Sequence, residues 1–306
     1  MSLNIETNKY CCSRCGNGGY SVGLYAKIKG IDTKKAYKEL LERECYSLDK
    51  SKIEISPINI VADIKRRDEV YREFLRMLRL DRVHKNYLRC LGLLDGTISE
   101  NLYRTIPKKD IERRLICKAL SKVYDLAGIP GFYQEPDFKW TFSKTNGFFV
   151  PVFDENGYIQ ALSIHLDKQF NGTSDIWFSS SGKINGTSAR SYTMRNNIYT
   201  DSKELIITDN FILGTLIKET INKPMIAFQN ITNSYIILEA IEKTDIKNIT
   251  FVYRVPYSNE NIDYITRRIF SDLIPKGYNL NMKTIKDYKD FFDENFDVHY
   301  AVYKAA

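Results

Sequence analysis

The chain has no apolar run long enough to cross a bilayer. Its apolar stretches, such as Leu205–Thr208 and Ile236–Leu238, fall far short of the ~20 residues a spanning helix needs. No charged-then-apolar segment at the N-terminus reads as a secretory leader. Cysteine is scarce: six in 306 residues, three of them gathered in Cys11–Cys15, which is not the spacing of a disulfide framework. These absences point to a reducing compartment, and a cytoplasmic location with no membrane partner is expected. Internal repeats and low-complexity tracts are also missing. What remains is an ordinary globular composition, 43% hydrophobic and 27% charged, in a chain long enough for two or three compact units. Lys and Arg number 45 against 38 Asp and Glu, a net charge of +7 that suits a polyanion partner without requiring one.

Four regions differ in texture. Residues 1–48 carry the cysteine cluster, a Gly16-Asn17-Gly18-Gly19 turn and a helix from Thr33 to Leu41 with Asp32 or Thr33 as its cap. Residues 49–67 are polar, contain Pro57, end in Lys65-Arg66-Arg67 and read as a linker. Residues 68–200 begin with helical periodicity, in which Val70, Phe74, Met77, Leu78, Val83, Tyr87, Leu88 and Leu91 recur three to four apart. A second helical run, 111–126, stops at Gly128-Ile129-Pro130-Gly131. Short strands follow, including a hairpin of 147–153 and 158–166 around Asn156-Gly157. Residues 201–300 alternate strand (204–208, 225–228, 249–252, 278–282) with helix (212–220, 235–243, 262–273), the pattern of a parallel-rich α/β unit.

Cys12-Ser13-Arg14-Cys15-Gly16 is a CxxC knuckle whose spacing lets two thiolates face one metal. A structural zinc takes four ligands, and the chain offers no second CxxC, CxxH or HxxC. Free thiols and a redox pair are the other readings, the last without the strand–helix context such motifs have. Cys45, Cys90 and Cys117 stand alone and read as small apolar core groups, and His84 is isolated too.

The segment from Lys9 to Leu40, from the CxxCG knuckle through the glycine turn to Ala36-Tyr37-Lys38-Glu39-Leu40, resembles the second half of the CHC2-type zinc ribbon of bacterial and phage DNA primases. In that resemblance Cys12 and Cys15 are half of a zinc site whose first two ligands lie upstream. Met1-Ser2-Leu3-Asn4 matches the end of the intervening stretch, so the chain is expected to begin inside the ribbon. The hairpin from Gly147 to His165, the strand Asp175-Ile176-Trp177 with its serines, and Gly128–Tyr133 are similar to primase-core elements in the same order.

The resemblance implies an α+β chain with three parts: a zinc-ribbon remnant, a mixed helical and β primase-core lobe, and a C-terminal Toprim-like α/β domain. A Toprim site holds Mg2+ on nucleotide phosphates through a glutamate after its first strand and an Asp-x-Asp after a later one. Here Asp209 stands in the glutamate position, Arg254 and Pro256 fall where Asp-x-Asp is expected, and Asp293 keeps one acid downstream. The expected function is a primase-like, DNA-binding replication protein of a mobile element or phage. It would engage single-stranded DNA template, with a replicative helicase as a further partner, and carry an impaired nucleotidyl-transfer site. An active primase making RNA primers with Mg2+ and a non-catalytic protein-interaction module are the alternatives. Lys183, Arg190, Tyr192 and Arg195 form a basic, serine- and glycine-rich loop suited to phosphate. Lys27, Lys29, Lys34 and Lys35 would add non-specific affinity, Lys65–Arg67 reads as solvated, and His165 as a packed strand residue.

Overall fold

The computed structural model describes residues 2–4, 9–11, 18–42, 61–170, 173–198, 201–221, 223–229, 234–254 and 260–285. Three short strands, β1 (Ser2–Asn4), β2 (Lys9–Cys11) and β3 (Gly18–Tyr20), form an antiparallel sheet in that order. Tyr10 is buried beside Gly19. Helix α1 (Ser21–Lys29) ends at Gly30 in the left-handed region, φ 64°. Asp32 then caps α2 (Thr33–Glu42), its carboxylate accepting from the Lys34 and Lys35 amides at 2.7 and 3.1 Å.

Helix α3 (Ile64–Arg76) starts earlier than the polar sequence implied, so residues 64–67 are not linker. Asp63 caps it by accepting from the Arg66 amide at 3.1 Å. Arg66 donates to the carbonyls of Asp125 and Ala127, and Arg67 is buried and donates to the Gln160 carbonyl. Arg66 and Arg67 are thus stitched to their neighbours while Lys65 is exposed as expected: guanidinium forks supply the donors that turn carbonyls lack. Helices α4 (Arg82–Cys90), α5 (Asp95–Glu100) and α6 (Asp110–Leu120) follow, α6 ending six residues before the expected stop at 126. Met77 and Val83, read as core from their spacing, are exposed.

The central sheet has the antiparallel order β4-β7-β8-β9, from β4 (Arg104–Thr105), β7 (Gly147–Phe153), β8 (Ile159–Phe170) and β9 (Thr173–Trp177). A separate hairpin pairs β5 (Phe132–Gln134) with β6 (Trp140–Phe142). Pro151 is tolerated within β7 because β4 pairs only with Phe148 and Phe149, leaving that edge of Pro151 without a ladder partner to lose. β7 is apolar on both faces because both are covered. On one face Phe149, Leu162, Ile164 and Phe178 meet α3, with Phe74 edge-on to Phe132, Phe142 and Phe149 at 5.0–5.3 Å. On the other, Phe148, Val150, Val152 and Ala161 meet the C-terminal unit.

That unit is a five-stranded sheet in the order β10-β12-β11-β13-β14, from β10 (Met194–Asn196), β11 (Glu204–Thr208), β12 (Met225–Ala227), β13 (Asn248–Arg254) and β14 (Asn279–Ile285). Only β10 is antiparallel to its neighbour. Helices α7 (Phe211–Ile221), α8 (Ser234–Glu242) and α9 (Glu260–Leu273) connect the parallel strands. The step from β11 to β12 runs one way along the sheet and the later steps run the other. Right-handed crossovers then put α7 on one face and α8 and α9 on the opposite one. The core divides accordingly. Ile206, Met225, Ala227 and Val252 pack with α7 and the central sheet, and Leu205, Ile207, Ile226 and Phe251 pack with α8 and α9. The strand–helix alternation read from the sequence is therefore present throughout.

Gly131 (φ 97°) lies against the Phe178 ring, and a Cβ there would fall 2.1 Å from it. Gly131→Ala is expected to cost on the order of 3 kcal/mol through overpacking and a disfavoured backbone, read as a fall in the urea midpoint. Glu204 bonds Thr250 Oγ1 at 2.8 Å and Lys223 Nζ. Burial works to raise its carboxyl pKa, but the two hydrogen bonds and the Lys223 charge outweigh that and hold it below its ordinary 4.5. Its contribution is full above the unfolded-chain value and fades as pH falls through the lower folded value. Glu204→Gln should therefore flatten the acid limb of the stability curve below about pH 4.5.

Candidate functional site

In an open parallel sheet, ligands sit outside the carboxyl ends of the strands where the strand order reverses. Here that point lies between β11 and β13, since β11 connects outward to one side and β13 to the other. The residues brought there are Thr208, Asp209 and Asn210 after β11, Gln229 after β12, and Tyr253 and Arg254 at the end of β13. Residues 230–233, 255–259 and those beyond 285, which include Pro256 and Asp293, lie outside the described residues, as does the side chain of Arg254.

Asn210 is the cap of α7: its Oδ1 accepts from the Leu213 amide and its carbonyl from the Gly214 amide, both at 2.9 Å. The positive end of α7 is thereby aimed at the switch point, next to half-buried Asp209. Two buried polar atoms at these strand ends, Thr208 Oγ1 and Gln229 Nε2, have no hydrogen-bond partner among the described residues. The central sheet closes over them. Ser163 Oγ donates to Gln229 Oε1, and the Trp177 ring meets Phe211 edge-on at 5.7 Å and Tyr192 at 6.3 Å. Sequence reasoning missed Thr208, Ser163 and Gln229. Their only signal was a neutral polar residue set in an apolar strand run.

Asp209 is a carboxylate that the described residues place at these strand ends, while the side chains of Glu260 and Asp263 in the first turn of α9 lie outside them. A two-metal phosphoryl-transfer centre needs several oxygen ligands bridging two cations, and among the described side chains Asp209 alone supplies a carboxylate toward one. Cys12 and Cys15 also lie outside the described residues, on the connection between β2, which ends at Cys11, and β3, which begins at Gly18. Two thiolates are half of a structural zinc set. Among the described residues there is no group of three or more His, Cys, Asp or Glu able to hold a metal.

The four loop residues expected to meet nucleic acid divide into two pairs. Lys183 and Arg190 are exposed, and Lys183 Nζ lies 5.6 Å over the Tyr133 ring. Tyr192 is half-buried under the Arg67 guanidinium, 5.0 Å from its ring. Arg195 pairs with Glu155 at 2.8 Å, both side chains about 15% exposed. His165 is packed as expected, with Nδ1 2.8 Å from Asp175 and the ring stacked on Tyr87. His84, isolated in sequence, bridges Thr105 and Asp167 at 2.7 and 2.8 Å. Cys117 is buried, which pushes its thiol up to about 12, whereas Cys90 is exposed and not the core group expected.

Solved structures with this arrangement are DNA primases. The zinc-binding and RNA polymerase domains of Aquifex aeolicus primase match 96% of this chain and 72% of that one, with a TM-score of 0.58 and 12% identity. The RNA polymerase domain of Mycobacterium tuberculosis primase DnaG, solved with a double-stranded DNA oligomer carrying a 6-nucleotide overhang, matches 78% of each chain at 0.55 and 7%. A DNA primase domain from Pseudomonas aeruginosa matches 72% of this chain and 73% of its own at 0.52 and 11%. No family model and no curated protein matches the sequence. The chain has the fold of primase RNA polymerase domains, and at these identities the likeness is one of fold. No helix among the described residues is long and apolar enough to cross a membrane.

If Asn210 serves as a cap, Asn210→Ala should lower stability by about 1 kcal/mol while Asn210→Asp holds it near wild type. Thermal denaturation of the two variants checks this, and equal losses would rule the cap out.

Proposed function

We propose that this chain is a primase-like DNA-binding replication protein of a phage or mobile element, one that engages single-stranded template but carries an impaired nucleotidyl-transfer site. The observation that carries the reading is the likeness in fold to a solved primase over 96% of the chain. The order of units supports it: small strands around the CxxC connection, a helical and β lobe, then a parallel α/β unit that we read as a Toprim domain. Impairment follows from the switch point, where Asp209 replaces a glutamate and β13 ends in Arg254 where an acid pair is expected. Arginine cannot ligate Mg2+ and opposes its approach. Cys12 and Cys15 would hold zinc only with two ligands from elsewhere, and a replicative helicase is the natural partner for such a protein in the cytoplasm.

Purified protein incubated with single-stranded DNA, labelled nucleotides and Mg2+ or Mn2+ tests the reading. Binding is expected, with an affinity that falls steeply as salt rises because phosphate contacts release counterions, and no template-dependent oligomers should form. Oligomers made by the wild type and lost in Asp209→Ala would establish an active primase instead. An absence of DNA binding at low salt would remove both readings.

A further inference from the structure

The β5–β6 hairpin presents an aromatic ring at a position that disfavours it. The Phe138 amide donates to the Glu135 carbonyl at 2.8 Å and the Glu135 amide to the Lys139 carbonyl at 3.0 Å, with Pro136 at the second turn position. This is a tight turn followed by a left-handed residue, a place usually given to glycine or asparagine. Phe138 occupies it at φ 59°, with its side chain 75% exposed. A bulky residue held left-handed costs stability, and burial of the ring returns little here.

The surroundings give the ring a context. Gln134 ties the tip to the 180–190 loop: its Nε2 donates to the Phe138 carbonyl at 3.0 Å, its amide to the Ile184 carbonyl at 2.8 Å, and its Oε1 accepts from Asn185. Tyr133, the next residue along β5, lies under Lys183. Both acids of the hairpin are engaged, Glu135 with Arg114 and Asp137 with Lys139. Lys183 and Arg190 form no ion pair with a described carboxylate, so their charge faces outward uncompensated by the hairpin.

We infer that the β5–β6 hairpin tip and the 180–190 loop form a stacking site for single-stranded nucleic acid, with Phe138 receiving an unpaired base and Lys183 and Arg190 the flanking phosphates. An exposed ring, on a hairpin tied to a loop that carries two exposed cations, matches the two faces of a single strand, whose bases stack without regard to sequence and whose backbone carries the charge. A duplex keeps its base faces hidden and would leave Phe138 unused. The inference rests on the reading of the chain as a DNA-binding protein and assigns part of the strand's path.

Fluorescence anisotropy with an oligothymidylate tests it on the full chain, alongside photocrosslinking of the same strand substituted with 5-iodouracil. Phe138→Ala and Phe138→Gly should weaken single-strand binding about 5- to 100-fold, Phe138→Trp should retain it, and duplex binding should not change. The salt slope should be unaltered by the Phe138 variants and should fall by about 1 in Lys183→Ala. Phe138→Gly should melt at or above the wild-type temperature, since glycine adopts the left-handed backbone freely; this separates lost binding from lost folding. Crosslinks should map to residues 132–142. Wild-type binding with Phe138 variants within twofold and crosslinks elsewhere would overturn this site and leave the proposed function standing. No binding by the wild type would overturn both.

Discussion

Helix α7 has no polar face in its first seven residues, and the rest of the structure depends on covering it. Phe211 through Ile217 are all buried. A helix apolar all round has to be enclosed on every side. One side is taken by β12, so closely that a Cβ on Gly214 would sit 2.7 Å from that of Ala227. The other is taken by Phe148, Val150 and Val152 of the central sheet. The one polar group in the run, the Thr215 hydroxyl, accepts from buried Tyr103 at 3.0 Å. Lobe and α/β unit are therefore joined by a shared core. That same docking brings Ser163 and Trp177 over the strand ends, so the enclosure of a hydrophobic helix also covers the switch point.

Much of this was legible in the sequence because period sets the elements. The strand 204–208 and the alternation after it followed from apolar runs broken by polar turns, and the hairpin from Asn156-Gly157. Asp209 was legible as an acid directly after an apolar strand. Exposure was harder to read. Arg66, Arg67, Tyr192 and Arg195 look alike in sequence to Lys183 and Arg190, yet the former pack against carbonyls, Glu155 and each other. A guanidinium is as well suited to a buried acceptor as to a phosphate, and only the tertiary neighbours decide. Ser163 and Gln229 lie 66 residues apart and meet only once two sheets have closed on α7.

The described part of the switch point carries one fixed positive feature, the N-terminus of α7. Asn210 turns the positive end of α7 toward the switch point, beside half-buried Asp209. A helix N-terminus of this kind can receive an anion through its amides. Concentrating two divalent cations is a different task, which needs negative charge to offset theirs. The packing that builds a strand-end site is thus separable from the charges that would act in it.

That separation has a structural cause. The residues that hold β11 and β13 in register are Leu205, Ile206, Ile207, Ile249, Phe251 and Val252, which alternate between two cores. The residues that would carry chemistry lie at or beyond the last core position of each strand, where side chains leave the packed layers. Substituting an acid there opens no cavity and breaks no ladder, and dispersing a cluster of like charges relieves repulsion. Core packing constrains volume and polarity but tolerates many residue choices, which is how one fold persists at 7–12% identity. Selection on the fold and selection on the site thus act on different residues, so likeness of the first fixes where a site would be and leaves its chemistry to be read from the side chains there.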